Sequence, residues 1–282
     1  MIHLGLIGYP LSHSLSPKIH EAAFTALTLH GEYLLYPVAP GDINGLAELA
    51  RRMRAGEIQG LNVTIPHKQA IMSLLDELTP SAQVIGAVNT LILQEGKLIG
   101  HNTDAPGFLA DLAKFLKDPP SEKNALVLGA GGAARAVVYA LQKDGWKLTL
   151  AARRADLDQA NALIGSFEPL QGVGTINLVL MEAGDLGRLG IGITLIINTT
   201  PIGMFPTVDF SPWPETLPFP QRTAVYDLVY NPRPTRLVQS ALAAGLRATT
   251  GLGMLVEQAA LSFACWTGQE APREALYASV EA

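Results

Sequence analysis

The feature that most constrains the fold is a glycine-rich turn set between a short apolar strand and an alanine-rich helix. Gly129-Ala130-Gly131-Gly132-Ala133-Ala134 fits the pattern G-x-G-x-x-A. Ala125 to Leu128 reads as a compact buried strand before it, and Ala133 to Lys143 as a helix after it. Small residues at such a turn let the backbone approach a pyrophosphate, whose charge then sits at the positive end of the helix. The bare pattern also fits an ordinary tight βα turn, so the strand–turn–helix context carries the weight.

The rest of the chain repeats this alternation. Ile2 to Gly8, Tyr33 to Val38 and Leu61 to Ile65 read as strands, as do Lys147 to Ala151, Leu195 to Asn198 and Ala224 to Leu228. Gly86 to Leu93 and Leu98 to Gly100 read as a hairpin. Helices are expected from Ser16, as N-cap with Pro17 in the first turn, to a stop at Gly31; over Ile43 to Ala55; from Pro66 through Leu75; from Asp104; and over Met254 to Trp266. Pro119-Pro120 to Asn124 is polar enough for a linker, and the proline-rich stretch 206–222 for a surface loop. The expected class is α/β with parallel sheet, in two domains. One holds residues 1–104 completed by 246–282; the other is a Rossmann-like domain over 105–245.

Composition excludes several functions. With 282 residues, 48% hydrophobic, the chain has material for a large core. A net charge of −5 gives no long-range attraction for nucleic acid or an anionic membrane. The single cysteine, Cys265, allows no internal disulfide and no multi-cysteine metal site, and its apolar surroundings suit a buried thiol. Neither CxxC nor HExxH occurs, so no metal is expected. Without a basic, apolar leader or a membrane-length apolar run, the expected location is the cytoplasm.

The cofactor should be decided where the second strand of the dinucleotide half ends. An NAD enzyme usually places a carboxylate there for the ribose 2′-hydroxyl. Here stand Ala151-Ala152-Arg153-Arg154, and two guanidiniums suit a 2′-phosphate, favouring NADP. Asp156 lies close enough to keep NAD open.

Three polar clusters mark the first half. His13-Ser14-Leu15-Ser16-Pro17 offers two hydroxyls where a helix cap needs one. In Asn62-Val63-Thr64-Ile65-Pro66-His67-Lys68, Asn62 and Thr64 share one side of a strand end. Lys68 is expected in the first turn of a helix, whose dipole would lower its pKa toward an acid–base range. Asn102-Thr103-Asp104 is the third, with Asp104 as the expected helix cap; Asn89-Thr90 adds an amide and a hydroxyl. His13, His67 and His101 lie beside these clusters without an evident carboxylate partner.

Together these stretches resemble the shikimate dehydrogenase family over nearly the whole chain. So do Gly86-Ala87-Val88-Asn89-Thr90, Asn198-Thr199-Thr200-Pro201-Ile202-Gly203-Met204, Asp227 to Tyr230, and Gly251-Leu252-Gly253-Met254-Leu255-Val256-Glu257-Gln258. The resemblance implies reversible, NADP-linked reduction of 3-dehydroshikimate to shikimate, a step of aromatic amino-acid and chorismate biosynthesis. It implies that Lys68 and Asp104 are the catalytic pair and that Ser14 and Ser16 bind the substrate carboxylate. Thr64, Asn89, Tyr230 and Gln258 would also contact substrate. Gly129 to Ala133, Arg153, Arg154, Thr200, Leu228 and Gly251 would line the cofactor. The family's usual Asn-Arg-Thr is Ala152-Arg153-Arg154 here, and Ala105 replaces a frequent glycine. A sister group that acts on quinate and prefers NAD also carries paired arginines, so that enzyme is the alternative. A non-catalytic shikimate-binding regulator is a further one, and monomer or homodimer is left open.

Overall fold

A computed structural model describes residues 1–167, 175–189 and 192–281. From the N-terminus run β1 (Ile2–Gly8), α1 (Ser16–Ala26), β2 (Gly31–Pro37), α2 (Ile43–Arg54), β3 (Gly60–Val63), β4 (Glu77–Leu78), α3 (Pro80–Ile85), β5 (Thr90–Gln94), β6 (Lys97–His101) and α4 (Asp104–Leu116). There follow β7 (Asn124–Leu128), α5 (Gly132–Lys143), β8 (Lys147–Ala152), α6 (Leu157–Phe167), β9 (Ile176–Leu180), α7 (Ala183–Arg188), β10 (Leu195–Asn198), β11 (Ala224–Asp227), α8 (Arg236–Ala243), β12 (Ala248–Thr250), α9 (Leu252–Thr267) and α10 (Arg273–Glu281). The chain divides into two compact units, Met1–Gly107 with Leu255–Ala282, and Phe108–Met254. Pro119 to Asn124 therefore lies inside the second unit and is not the linker expected there.

The first unit carries a six-stranded sheet in the order β2-β1-β3-β5-β6-β4. β1 runs parallel to β2 and β3, while β5 is antiparallel to β3 and β6. Its core on one side gathers Ile7, Leu46, Met53, Leu61, Ile71 and Leu91, all fully buried. The α9 positions Val256, Ala259, Ala260 and Phe263 are buried at helical spacing. Cys265 falls on the opposite face and is exposed, which corrects the expected buried thiol. Gly107 of α4 lets α9 approach closely, because a Cβ there would stand 2.7 Å from the Gln258 backbone nitrogen.

The second unit carries an all-parallel sheet in the order β12-β11-β10-β7-β8-β9. Strand order turns back between β7 and β10, which is where open α/β sheets form a crevice beyond the strand ends. Its inner strands β7, β8, β10 and β11 read as near-continuous apolar runs because helices cover both faces. The register aligns Leu128 with Ala151 and Asn198, and Asn198 with Asp227, which pairs in turn with Thr250.

Three local expectations are corrected. Helix α1 starts at Ser16 with Leu15 at the N-cap, so the Ser16 hydroxyl caps nothing; Ser14 Oγ accepts the Ser16 amide at 3.2 Å instead. The helix ends at Ala26, and Gly31 opens β2, packed so tightly on Phe24 that a Cβ would lie 2.3 Å from its ring. The segment after Pro66 makes turns, with only a 3₁₀ helix at Ala70–Leu74. Lys68 is thus outside any helical first turn, and the dipole argument for it does not apply.

Candidate active site

The strand ends of the first unit converge on a lysine–aspartate pair. Beyond β3 the chain turns through a bond from the His67 amide to the Thr64 carbonyl, 2.9 Å. His67 is buried and anchors this turn with a ring nitrogen 2.7 Å from the Val38 carbonyl. The Lys68 carbonyl accepts the Val88 amide at 2.8 Å, tying the turn to the chain entering β5. Lys68 Nζ then donates to Asp104 Oδ2 at 2.5 Å. The two side chains are only 13% and 6% exposed, so water screens the pair weakly.

Asp104 is not the helix cap expected from the sequence. Asn102 Oδ1 accepts the Ala105 amide at 3.1 Å and does the capping, while Asn102 Nδ2 donates to the Ala87 carbonyl. The Asp104 carboxylate is thereby left for Lys68 at the first residue of α4, where the helix favours an anion. Its other oxygen, Oδ1, accepts from Asn89 Nδ2 at 2.9 Å.

Asn89 is itself held from several sides. Its Nδ2 also lies 2.9 Å from Thr103 Oγ1 and 3.3 Å from Gln258 Oε1, and its Oδ1 accepts the Thr103 amide at 2.7 Å. Behind it lies a buried hydroxyl cluster. Ser262 Oγ is 2.8 Å from Thr90 Oγ1 and 3.0 Å from Thr103 Oγ1. Asn62 Nδ2 donates to Ser262 Oγ at 3.0 Å, and Tyr33 donates to Asn62 Oδ1 at 2.8 Å. Asn62 thus serves the frame behind the pair. Ser262 and Tyr33 escaped the sequence reading. A signal existed for Ser262: it follows Gln258 by four residues on a largely apolar helix, so both polar groups share one face.

Ser14 and Ser16 stand beyond the end of β1, and Thr64 beyond the end of β3 beside it. Asp104 touches both Lys68 and Asn89, and Gln258 lies on Asn89. Tyr230 follows β11 in the second unit. His101 has a buried Nδ1 without a hydrogen bond, and burial holds its pKa below the usual imidazole range.

In the second unit the strand register brings the remaining residues to one sheet edge. Gly129 follows β7, Arg153 follows β8, Thr199-Thr200 follow β10, Leu228 follows β11 and Gly251 follows β12. Gly129 adopts φ +103°, and a Cβ there would lie 2.7 Å from Thr200 Cγ2. Gly131 caps α5 and has nothing within 4 Å of a Cβ, so the helix N-terminus opens to free space. A Cβ on Gly251 would lie 2.3 Å from the Leu228 carbonyl oxygen. Buried Asp227 knots two of these loops. Its Oδ1 accepts from Asn198 Nδ2 and the Val229 amide, and its Oδ2 from Thr235 Oγ1. Asn198 Oδ1 in turn accepts the Thr200 amide and hydroxyl. Burial pushes the Asp227 carboxyl up to about 6. Arg153 and Arg154 are surface side chains, paired with Asp156 and Glu182. A free helix N-terminus behind a tight glycine turn, with two guanidiniums at the neighbouring strand end, fits a phosphorylated dinucleotide.

Among the described residues no helix is long and apolar enough to cross a membrane, and no three His, Cys, Asp or Glu side chains are placed to hold a metal ion. Fold and site together define a two-unit α/β protein of the dinucleotide-linked oxidoreductase kind. The chain belongs to the shikimate dehydrogenase family. Residues 6–91 match the shikimate dehydrogenase substrate binding domain, and residues 251–281 the shikimate 5'-dehydrogenase C-terminal domain. The shikimate dehydrogenase (NADP(+)) of Methanopyrus kandleri is 41% identical over 281 residues, 98% of this chain and 94% of the relative. The Thermus thermophilus shikimate 5-dehydrogenase, solved with NADP(H) and shikimate, has a TM-score of 0.83 and 37% identity over 100% of this chain and 99% of its own. A quinate dehydrogenase of Corynebacterium glutamicum, solved with NAD, has a TM-score of 0.87 and 31% identity over 99% and 98%.

Proposed function

We propose that this chain catalyses the reversible, NADPH-linked reduction of 3-dehydroshikimate to shikimate in chorismate and aromatic amino-acid biosynthesis. The observation that carries the reading is the Lys68–Asp104 pair, 2.5 Å apart and shielded from water at the converging strand ends. The unit of Met1–Gly107 with Leu255–Ala282 takes the substrate, and the unit Phe108–Met254 takes the dinucleotide. NADP supplies or receives the hydride. Lys68 Nζ holds the proton that the ketone oxygen needs on reduction and takes it back on oxidation. Asp104 fixes Lys68 and accepts from a neighbouring substrate hydroxyl, while Asn89 holds Asp104 and contacts substrate. Ser14 and Ser16 bind the substrate carboxylate, and Thr64, Tyr230 and Gln258 complete its contacts. Gly129 to Ala133 with α5 take the pyrophosphate, Arg153 and Arg154 the 2′-phosphate, Thr200 lines the cofactor, and Leu228 and Gly251 take the nicotinamide end. The enzyme works in the cytoplasm as a monomer or homodimer.

A second reading, an NAD-linked enzyme that also accepts quinate, is favoured by one observation: both arginines at the β8 end are already neutralised by carboxylates. The test is the oxidation of shikimate and of quinate, each with NADP and with NAD, followed by absorbance of the reduced cofactor. Turnover of shikimate with NADP, lost by about 10²–10⁴-fold in Lys68→Ala, is the expected result. Comparable rates with quinate or NAD would move the chain to the second reading. Unchanged turnover in Lys68→Ala would remove the catalytic assignment.

A further inference from the structure

At the end of β8 the backbone turns through Arg153, in extended conformation, into a 3₁₀ segment at Arg154–Asp156. The Asp156 amide bonds the Arg153 carbonyl at 2.9 Å, which folds the aspartate back beside the arginine. Arg153 Nε donates to Asp156 Oδ2 at 2.6 Å, and Nη2 donates to Oδ1 at 3.2 Å. One carboxylate therefore occupies a whole edge of the guanidinium fork, the geometry that a phosphate would use. Asp156 is 29% exposed and Arg153 63%, so the carboxylate is the more enclosed partner of the two. Asp156 also sits directly before α6, where the helix dipole favours an anion. Arg154 meets Glu182 through a single bond of 3.2 Å between two well-exposed side chains, a looser pairing.

We infer that Asp156 sets the dinucleotide preference of this protein by competing with the ribose 2′-phosphate for Arg153. The inference rests on reading this sheet edge as the dinucleotide site. An incoming 2′-phosphate must take the fork from Asp156, or share it while repelled by the carboxylate. NAD has no 2′-phosphate and meets neither cost. Asp156 thus narrows the gap between the two dinucleotides, and its removal widens the gap by strengthening NADP alone. A surface charge pair of this kind moves affinity by up to about fivefold and is screened by salt.

The test is calorimetric binding of NADP and NAD to the wild-type protein and to Asp156→Asn, without turnover. Asp156→Ser is run beside them in case the amide rebuilds the pairing. The expected result is NADP affinity raised roughly three- to fivefold, with NAD unchanged within about twofold. The gain should fall as salt rises from about 0.05 to about 0.5 M. The fragment 2′,5′-ADP should gain like NADP, and 5′-AMP should not. Unchanged or weakened NADP binding in both variants would overturn the inference and make Asp156 an aid that orients Arg153. Weakened NAD binding would also overturn it, since Asp156 would then be a ribose ligand. If neither dinucleotide binds the wild-type protein, the reading of the edge fails and the inference with it; binding without the Asp156 effect sinks the inference alone.

Discussion

Replacing Asp104 with asparagine should cost more stability than removing the whole pair. The introduced amide could still accept from Asn89 through its oxygen, but its own hydrogens would face the Lys68 ammonium, which has lost its 2.5 Å partner. Breaking a buried ion pair by removing one partner costs about 3–5 kcal/mol. Lys68 keeps 13% exposure, so the lower figure, about 3 kcal/mol, applies. Replacing Lys68 with methionine in the same chain removes the stranded charge and should restore about 2 kcal/mol. Urea unfolding of wild type, Asp104→Asn, Lys68→Met and the double variant at neutral pH gives the coupling directly. Turnover should fall by about 10²–10⁴-fold in each single variant and hardly further in the double, because the two groups act as a unit. A double variant no more stable than Asp104→Asn would refute the reasoning, since Lys68 would then carry no cost of lost pairing.

Two buried titratable groups make opposite predictions about pH. Asp227 titrates at about 6 in the fold against 3.8 as its reference value. Between those values the folded state holds a proton that the unfolded chain has released, so stability falls as pH rises through the window and levels off above it. About two pH units correspond to about 3 kcal/mol, and Asp227→Asn should gain roughly 2 kcal/mol on wild type between pH 4 and pH 7 by urea unfolding. An equal difference at both pH values would contradict this. His20 is fully buried, stacks on Tyr33 at 4.2 Å, and is pushed down by burial to about 3 from 6.5. Here the unfolded chain binds the proton first, so stability is lost as pH falls below about 6.5. His20→Phe keeps the stacking and should gain roughly 2 kcal/mol on wild type between pH 7 and pH 5, with the wild-type His20 ring proton shift flat over that range in NMR. A titrating ring signal near pH 6 would refute it.

What was legible in the sequence was what local pattern alone decides. The apolar runs of β7, β8, β10 and β11 and the Gly129 turn are dictated by burial on both faces and by close backbone approach, so their positions follow from residue type, whereas the partly exposed β9 and β12 carry no such run. Residue type misleads where a distant group overrides a local preference. Pro66 favours a helix start, but His67 is drawn into the core by the Val38 carbonyl, and the chain turns at Lys68 instead. Asp104 and Asn102 are both good caps by type, and only the fold shows that Asn102 takes that role. Ser16 looks like a cap because Pro17 follows it, yet the helix begins one residue earlier than a cap there would allow. Cys265 lies in an apolar run, and only the helical phase set by Val256, Ala259 and Phe263 puts it outside.

The same overrides explain why the candidate pair is built as it is. A lysine placed in a helical first turn would have its charge opposed by the helix, and burial would drive it neutral. This fold removes Lys68 from the helix and puts the carboxylate there instead, so the helix stabilises the partner rather than opposing the lysine. Holding that carboxylate still requires that Asn102 take the capping bond and that Asn89 take the second carboxylate oxygen. Asn89 in turn is fixed by Thr103, Thr90 and, through them, Ser262 on α9. Helix α9 therefore belongs to the candidate site for a physical reason. Without its hydroxyl the buried Thr90 and Thr103 side chains would lose a shared partner, and the orientation of Asp104 would rest on Asn89 with less support behind it.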